Sequence, residues 1–145
     1  DTLFARITPC LENGKTGYVQ FQPTETAVAF GSTEFIVLRS KTLCPEYVYL
    51  LARSESFRAN AIKSMSGATG RQRVKEACFA SFLIAQPDST TLKLFQQAVS
   101  PMFRMVKVLA QKNANLRSQR DLLLPKLISG EIDVSNPPEP EALAA

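Results

Sequence analysis

Apolar side chains recur at alternating intervals of three and four residues through one long segment of the chain. The pattern runs from Leu92 to Leu123, which is more than four heptads. Such spacing is the a/d pattern of a coiled coil, in which helices bury a shared apolar seam. We expect the seam positions to be Leu92, Phe95, Val99, Met102, Val106, Leu109, Asn113, Leu116, Arg120 and Leu123.

A lone helix cannot bury this stripe, so the segment needs a surface to pack against. About 30 residues of α-helix span roughly 45 Å, which is more than a small domain covers. This length favours a partner helix from another domain or polypeptide, a second copy of the chain included. The alternative is packing on the chain's own domain. Asn113 at an a position is typical of a contact that sets register, and Arg120 indicates a seam that frays or meets another subunit.

Pro101 lies within this helical segment. Because proline has no backbone N–H, and because Ser100 before it can cap a helix, Pro101 either starts a second helix or kinks a continuous one. The spacing of the apolar residues does not decide between a second helix and a kinked continuous one.

Strand-like segments occupy the first forty residues. They are rich in Val, Ile, Phe, Tyr and Thr and cover 2–8, 16–21, 26–30 and 33–39. Turn-forming residues separate them, namely Asn13-Gly14, Gln22-Pro23 and Gly31-Ser32. The pattern predicts a run of antiparallel strands. In the last segment Glu34 shares a face with Ile36 and Leu38, so it lies at a strand end or is buried and paired.

Pro45 opens a segment with helical periodicity. Its apolar positions are Tyr47, Leu50, Leu51, Phe57, Ala61, Ile62 and Met65. The pattern breaks near residues 54–56, which predicts two helices. Gly67 and Gly70 then bracket a loop, and Val74 and residues 82–84 indicate return strands. We therefore predict an α+β fold, an antiparallel sheet with helices followed by a long coiled-coil-type helix.

Charge is unevenly distributed along the chain. All 17 Lys and Arg residues precede residue 131, together with nine of the 13 acidic residues, so residues 1–130 carry a formal charge of +8. The remaining segment, 131–145, is acidic and rich in proline, which predicts a flexible tail. A body this basic suits a polyanion such as nucleic acid, although basic surfaces also arise for solubility alone.

Motifs for catalysis or metal binding are incomplete. The chain has no histidine and contains three cysteines, Cys10, Cys44 and Cys78. We therefore expect free buried thiols, no metal site and no cofactor. Residues 13–16 lack the first glycine of a phosphate loop, because Pro9 stands there, and are interpreted as a hairpin turn carrying Lys15. Asn136-Pro137-Pro138-Glu139 lacks the aromatic residue of an adenine methyltransferase motif.

Apolar runs in the chain are short. None reaches the roughly 18–20 residues of a membrane span, and no signal sequence is recognisable. We expect a cytoplasmic protein without a membrane contact, although a leader could have preceded the chain.

Four blocks, taken in order, resemble the carboxyl-terminal part of a type I restriction-modification specificity subunit. They are residues 1–10, 31–35, 67–74 and 116–132. The resemblance covers about residues 1–132. It places the start of the chain inside a target-recognition domain, so we expect the first part of that domain and the whole of a second one to be missing.

This resemblance implies sequence-specific binding of one half of a bipartite double-stranded DNA target, without catalysis by the chain. It divides the chain into a partial recognition domain at 1–88, a spacer and dimerisation helix at 89–130, and the tail at 131–145. The implied partners are methyltransferase and restriction subunits and the helix of another recognition half, with a homodimer of the chain as one form. S-adenosylmethionine, ATP and magnesium would be used by those partners.

Residues 56–75 are basic and contain no acidic side chain. The Gly67–Gly70 hinge would let backbone amides approach phosphates, and Arg and Gln side chains suit guanine and adenine edges. With the resemblance, this favours DNA contact by residues of this stretch. The candidates are Lys63, Arg71, Gln72, Arg73 and Lys75. The alternative is a solvated loop whose arginines pair with Glu76 or with helix carbonyls.

Three further candidates lie at turns that could lead to the same face of the domain. They are Lys15, Ser32 and Thr33. The helix residues expected to pair are Val99, Met102, Val106, Leu109, Asn113, Leu116, Arg120 and Leu123.

Two rival functions remain. One is a coiled-coil oligomerisation module without DNA binding, which a DNA-binding measurement separates from the first interpretation. The other is a methyltransferase fragment, which binding of S-adenosylmethionine would indicate.

Overall fold

The computed structural model describes residues 1–22, 24 and 27–135. Pro23, most of the tail and the Asn136-Pro137-Pro138-Glu139 motif lie outside the described residues. The elements are strands β1 (Thr2–Ala5), β2 (Thr16–Tyr18) and β3 (Phe35–Leu38), helices α1 (Pro45–Arg53) and α2 (Glu55–Lys63), a 3-10 helix (Glu76–Phe79) and helix α3 (Ser89–Ile128). The predicted α+β fold is confirmed. The chain forms two compact units, Asp1–Phe103 and a second unit that begins at Arg104.

The sheet of the first unit has the order β2-β1-β3, and both pairs are antiparallel. In the central strand, Phe4 is paired with Thr16 on one side and with Ile36 on the other. The strands are shorter than expected, because β1 pairs only with residues 16–18 on one side and 35–38 on the other. The strand expected at 26–30 is wrong for residues 27–30, which form no strand, and Phe30 there is 97% exposed. An apolar, β-prone segment without a partner strand does not form a ladder.

Aromatic side chains fill the core beneath the sheet. Phe57 stacks on Phe79 at 4.6 Å between ring centroids, and Phe4 meets both rings edge-on at 5.4 and 5.8 Å. The predicted break between two helices is confirmed at Ser54, whose side chain accepts the N–H of Phe57 and so caps α2. Capping thus places Phe57 at the centre of the core.

The return strands expected at Val74 and at 82–84 are wrong. Val74 is fully buried, but its neighbour Arg73 makes only isolated bridges to Ile7 and Ser66. The chain then forms the 3-10 helix at 76–79. Burial of an apolar side chain produced the strand-like pattern here without a strand.

Helix α3 is continuous from Ser89 to Ile128, so of the two alternatives left open for Pro101, the start of a second helix is excluded. A proline inside a helix removes one backbone donor, and the helix continues through it. Ser100 does not serve as a cap, since its hydroxyl donates to Glu46 Oε1 at 2.9 Å. Asp88 lies before the first turn and accepts the backbone N–H groups of Thr90 and Thr91.

Helix α3 packs on its own domain as far as Phe103. The Phe103 ring lies 5.0 Å from Tyr18 and 5.6 Å from Tyr49, and its carbonyl accepts Gln20 Nε2 at 3.2 Å. Phe95 meets Tyr47 edge-on at 5.6 Å. The first part of the helix therefore packs on the chain's own domain, which was the alternative to a partner helix in the sequence analysis.

The second unit exposes its apolar side chains. Val106, Leu109, Leu116 and Leu123 are 59%, 50%, 61% and 48% exposed. Beyond the helix, Gly130 takes a positive φ of 75° and Lys126 pairs with Glu131 at 2.7 Å. None of the described helices combines the length and the apolar character needed to cross a bilayer.

Candidate nucleic-acid interface

A cleft of about 450 Å³ opens beside the sheet of the first unit. Its apolar lining includes Leu3, Ala5 and Ile7 from β1 and the residues just after it. Its polar lining includes Lys15, Ser32 and Glu34. The structure thus brings together two of the turn residues singled out from the sequence, Lys15 and Ser32, on one concave surface.

Gly14 and the backbone around it place Lys15 at this cleft. Gly14 has a positive φ of 69°, and the N–H of Lys15 donates to the carbonyl of Cys10 at 3.0 Å. A Cβ atom at Gly14 would lie 2.6 Å from Nη1 of Arg58, so the guanidinium of Arg58 packs against this turn. The positive φ favours glycine here, whereas the flexible side chain of Arg58 could move away from a larger residue.

Glu34 is the centre of the charged part of the site. Its carboxylate accepts Nε of Arg73 at 2.9 and 3.2 Å and Nη2 of Arg73 at 2.7 Å. The side chains of Arg73 and Glu34 are 46% and 36% exposed, so the pair remains accessible to a ligand. The hydrogen bond from Arg73 holds the pKa of Glu34 below its ordinary value, and the charges of Arg73 and Arg6 act in the same direction.

Residues 6–8 connect Glu34 to Arg73, which lie far apart in the sequence. The N–H of Arg6 donates to the carbonyl of Glu34 at 3.1 Å, and the carbonyl of Arg6 accepts the N–H of Val74 at 2.9 Å. Thr8 donates its N–H to the carbonyl of Gln72 at 3.1 Å. The chain after β1 therefore runs between the start of β3 and residues 66–73, which we call the basic loop.

The basic loop itself closes on the reciprocal backbone hydrogen bonds between Ser66 and Arg73, of 2.9 and 3.0 Å. Gly67 and Gly70 adopt positive φ values of 123° and 78°, which confirms the loop predicted between them. A Cβ atom at Gly67 would lie 3.3 Å from the carbonyl oxygen of Arg71, so this turn is tight. Arg71 lies exposed within it, and Gln72 is half-buried.

The other candidates are less closely associated with the cleft. Lys63 is exposed at the end of α2, and Lys75 is exposed just before the 3-10 helix. Thr33 is exposed beside Ser32, whose hydroxyl accepts the N–H of Glu34 at 3.0 Å. Contact of these residues with DNA stays a prediction.

The sequence left open that the loop arginines pair with Glu76 or with helix carbonyls, and the structure differs for Arg73. Arg73 pairs with Glu34, and it is Arg6 that pairs with Glu76, at 3.2 Å. Sequence reasoning did not include Glu34 or Arg6 among the site residues, and it noted Arg58 only as one of the basic residues of 56–75. For Glu34 a signal was present, because an acidic residue on a face with Ile36 and Leu38 was expected at a strand end or buried and paired. Glu34 lies just before β3 and is paired with Arg73.

The three cysteines are free thiols. Cys44 is buried, whereas Cys10 and Cys78 are half-buried, and burial raises the pKa of the Cys78 thiol. Across residues 1–22, 24 and 27–135, no group of three or more His, Cys, Asp or Glu side chains could hold a metal ion.

Three curated proteins match the chain. The specificity subunit of the EcoEI type I restriction enzyme from Escherichia coli is 28% identical over 141 residues, which is 96% of this chain and 23% of that protein. The HindI specificity subunit from Haemophilus influenzae is 30% identical over 60% of the chain and 19% of its own length. The EcoAI specificity subunit from Escherichia coli is 32% identical over 60% of the chain and 15% of its own length.

The chain resembles type I restriction enzyme specificity subunits. The resemblance predicted from the four sequence blocks is thereby confirmed. The chain spans less than a quarter of the length of the specificity subunits it matches. No protein family description matches the chain. No solved structure matches it either.

Proposed function

We propose that this chain reads one half of a bipartite double-stranded DNA target as part of a type I specificity subunit. The observation that carries the proposal is that Lys15, Ser32 and Glu34 line one cleft and that Glu34 pairs with Arg73 of the basic loop, in a chain that resembles such subunits. In this role the chain is not catalytic and needs no cofactor of its own. It acts in the cytoplasm, where its target DNA lies.

Charge supports this proposal. Residues 1–130 carry a formal charge of +8, which attracts the phosphate backbone and steers association. Phosphate contacts position a protein on the duplex, whereas side chains at base edges supply specificity. Lys15, Lys63 and Lys75 are suited to the first task, and Arg71, Gln72 and Arg73 to the second.

Helix α3 supplies the assembly function in this proposal. Its second part, from Arg104, exposes a seam that includes Val106, Leu109, Leu116 and Leu123. A partner helix from another recognition half would bury this seam, with Asn113 setting the register. Methyltransferase subunits dock on the resulting spacer and restriction subunits join them, and those partners use S-adenosylmethionine, ATP and magnesium.

Selection from a pool of random-sequence DNA duplexes tests the DNA-binding function. We expect a full-length specificity subunit that contains this chain to enrich a motif, and its Arg71→Ala or Arg73→Ala variant to lose roughly 10- to 100-fold in discrimination at one base pair. Lys63→Ala or Lys75→Ala should weaken binding to all sequences alike and flatten its dependence on salt.

Absence of any enriched motif would contradict sequence-specific recognition. If the folded protein also fails to bind duplex DNA but still pairs through its helix, the oligomerisation module is the correct interpretation.

A further inference from the structure

Arg73 is held in place from both its backbone and its side chain, which is unusual for a residue this exposed. Its N–H and carbonyl both bond to Ser66, and the next residue bonds to Arg6. An arginine side chain on a surface ordinarily samples many rotamers, and ordering it opposes binding. The structure has already ordered this one before any ligand arrives.

The guanidinium of Arg73 presents its side edge to Glu34. Nε and Nη2 donate to the carboxylate, at 2.9 Å and 2.7 Å for the shortest contacts. A guanidinium has five N–H donors, and the terminal edge, which carries one Nη1 donor and the second Nη2 donor, is not needed for this pair. That edge has the two parallel donors that a guanine requires for bidentate contact at O6 and N7.

Glu34 also makes Arg73 poorly suited to bind a phosphate. An arginine paired with a carboxylate forms a neutral unit, and the carboxylate itself repels a phosphate. The hydrogen-bond donors of the terminal edge are retained, however, and a guanine edge is an uncharged acceptor pair. Lys15 and Arg58 lie near the same turn and carry the charge that phosphates require.

We propose that Glu34 is a positioning residue that orients Arg73 to read a guanine in the major groove. This inference rests on the proposed function and specifies the base that one side chain reads. Glu34 acts through Arg73 and makes no contact with the base.

The probe is a DNA duplex that carries a site selected by the wild-type protein from the random-sequence pool. In one probe the contacted guanine is replaced by 7-deazaguanine, which lacks the N7 acceptor. We expect this replacement to weaken wild-type binding roughly 10-fold or more. In Glu34→Ala and Glu34→Gln, most of the difference in affinity between the guanine probe and the 7-deazaguanine probe should be lost, because the guanidinium is no longer held in its orientation.

Two further variants separate orientation from a merely structural role. Arg73→Ala removes the guanidinium, so we expect it to lose the guanine preference, whereas Arg73→Lys retains an ammonium that can contact guanine and should keep part of it. Adding Glu34→Ala to Arg73→Ala should change the preference no further, since Glu34 acts only through Arg73. Asp121→Asn removes the carboxylate from another exposed arginine pair, Arg120–Asp121, and should leave the selected motif unchanged.

The outcomes are distinguishable. A wild-type protein that enriches no motif contradicts the proposed function itself. A wild-type motif whose sensitivity to 7-deazaguanine persists in Glu34→Ala and Glu34→Gln overturns only the role of Glu34. Equal strengthening of binding to every sequence in these variants also overturns it, because Glu34 would then act only by repelling phosphate. Retention of the guanine preference in Arg73→Ala overturns the reading by Arg73.

Discussion

The two parts of helix α3 carry one heptad pattern but have different surroundings. Up to Phe103 the helix packs with aromatic side chains of its own domain, as in the contacts of Phe95 with Tyr47 and of Phe103 with Tyr49. From Arg104 onward every described side chain of the helix is exposed. A heptad pattern therefore identifies an apolar stripe, but it does not tell which surface covers that stripe.

Composition distinguishes the two parts more clearly than periodicity does. The first part contains two phenylalanines, whose rings reach into an aromatic cluster of the domain. The second part has aliphatic seam residues and six basic side chains against one acidic residue, Asp121. Large aromatic side chains bury area within a domain, whereas an aliphatic seam with charged flanks is typical of a helix that pairs.

The largest effect is expected from charges placed in the exposed seam. Changing Leu109 and Leu116 together to Asp should abolish pairing with a partner helix, at a cost of several kcal/mol, while residues 1–103 stay folded. Sedimentation reports the pairing and thermal melting reports the fold. Gln111→Asp with Ser118→Asp is the matched control, because these positions have the same spacing on the outer side of the heptad.

Two results would separate the interpretations of the helix. If the wild-type protein is a monomer and its melting collapses in the Leu109/Leu116 variant, the second part packs within its own chain. If the variant is a folded monomer and the wild type is a dimer, the partner-helix interpretation holds.

A smaller effect is expected in the first part of the helix, and there it should change stability. Phe103→Ala should lower the free energy of unfolding by about 2 kcal/mol, because the ring packs between Tyr18 and Tyr49 but is only half-buried. Its neighbour Met102, an expected seam residue, is 63% exposed and serves as the control. Met102→Ala should change stability little. Equal losses in the two variants would contradict the difference in packing.

The smallest effect concerns the pH dependence of the Glu34–Arg73 pair. The pKa of Glu34 is lowered from its ordinary value of 4.5, chiefly by the hydrogen bond from Arg73. A carboxylate with a lowered pKa stabilises the folded state above its unfolded pKa, and this contribution is lost as pH falls through the folded pKa. In an NMR titration of the carboxyl carbon, Arg73→Ala should return the midpoint toward 4.5. A midpoint that the variant leaves unchanged would indicate that the pair does not form in solution.

Local features were the most predictable from sequence. The break at Ser54 followed from a capping residue, and the loop at Gly67–Gly70 followed from two glycines that take positive φ. Both are decided by a few neighbouring residues. The strand expected at 26–30 is wrong for residues 27–30, because a strand also needs a partner elsewhere in the chain.

The candidate site was predictable only in part, because its geometry depends on distant segments. Lys15, Ser32 and Arg73 were singled out separately from turns and charge. The approach of Arg73 to Glu34 depends on residues 6–8, which hydrogen-bond to Glu34 on one side and to residues 72 and 74 on the other. No local pattern encodes that pairing, so the sequence left Glu34 either at a strand end or paired, and it could not match Glu34 to Arg73.

Hydrogen exchange with and without a selected DNA duplex tests most directly the claim that the cleft binds DNA and the exposed helix does not. It reports on the cleft and on residues 104–128 in one experiment. The account predicts that the duplex slows exchange at residues 13–17, 31–34 and 66–75, which surround the cleft and its basic loop. It predicts no change at residues 104–128, whose seam is assigned to a partner helix. Protection confined to 104–128, or no protection at the cleft when DNA is bound, would contradict the account.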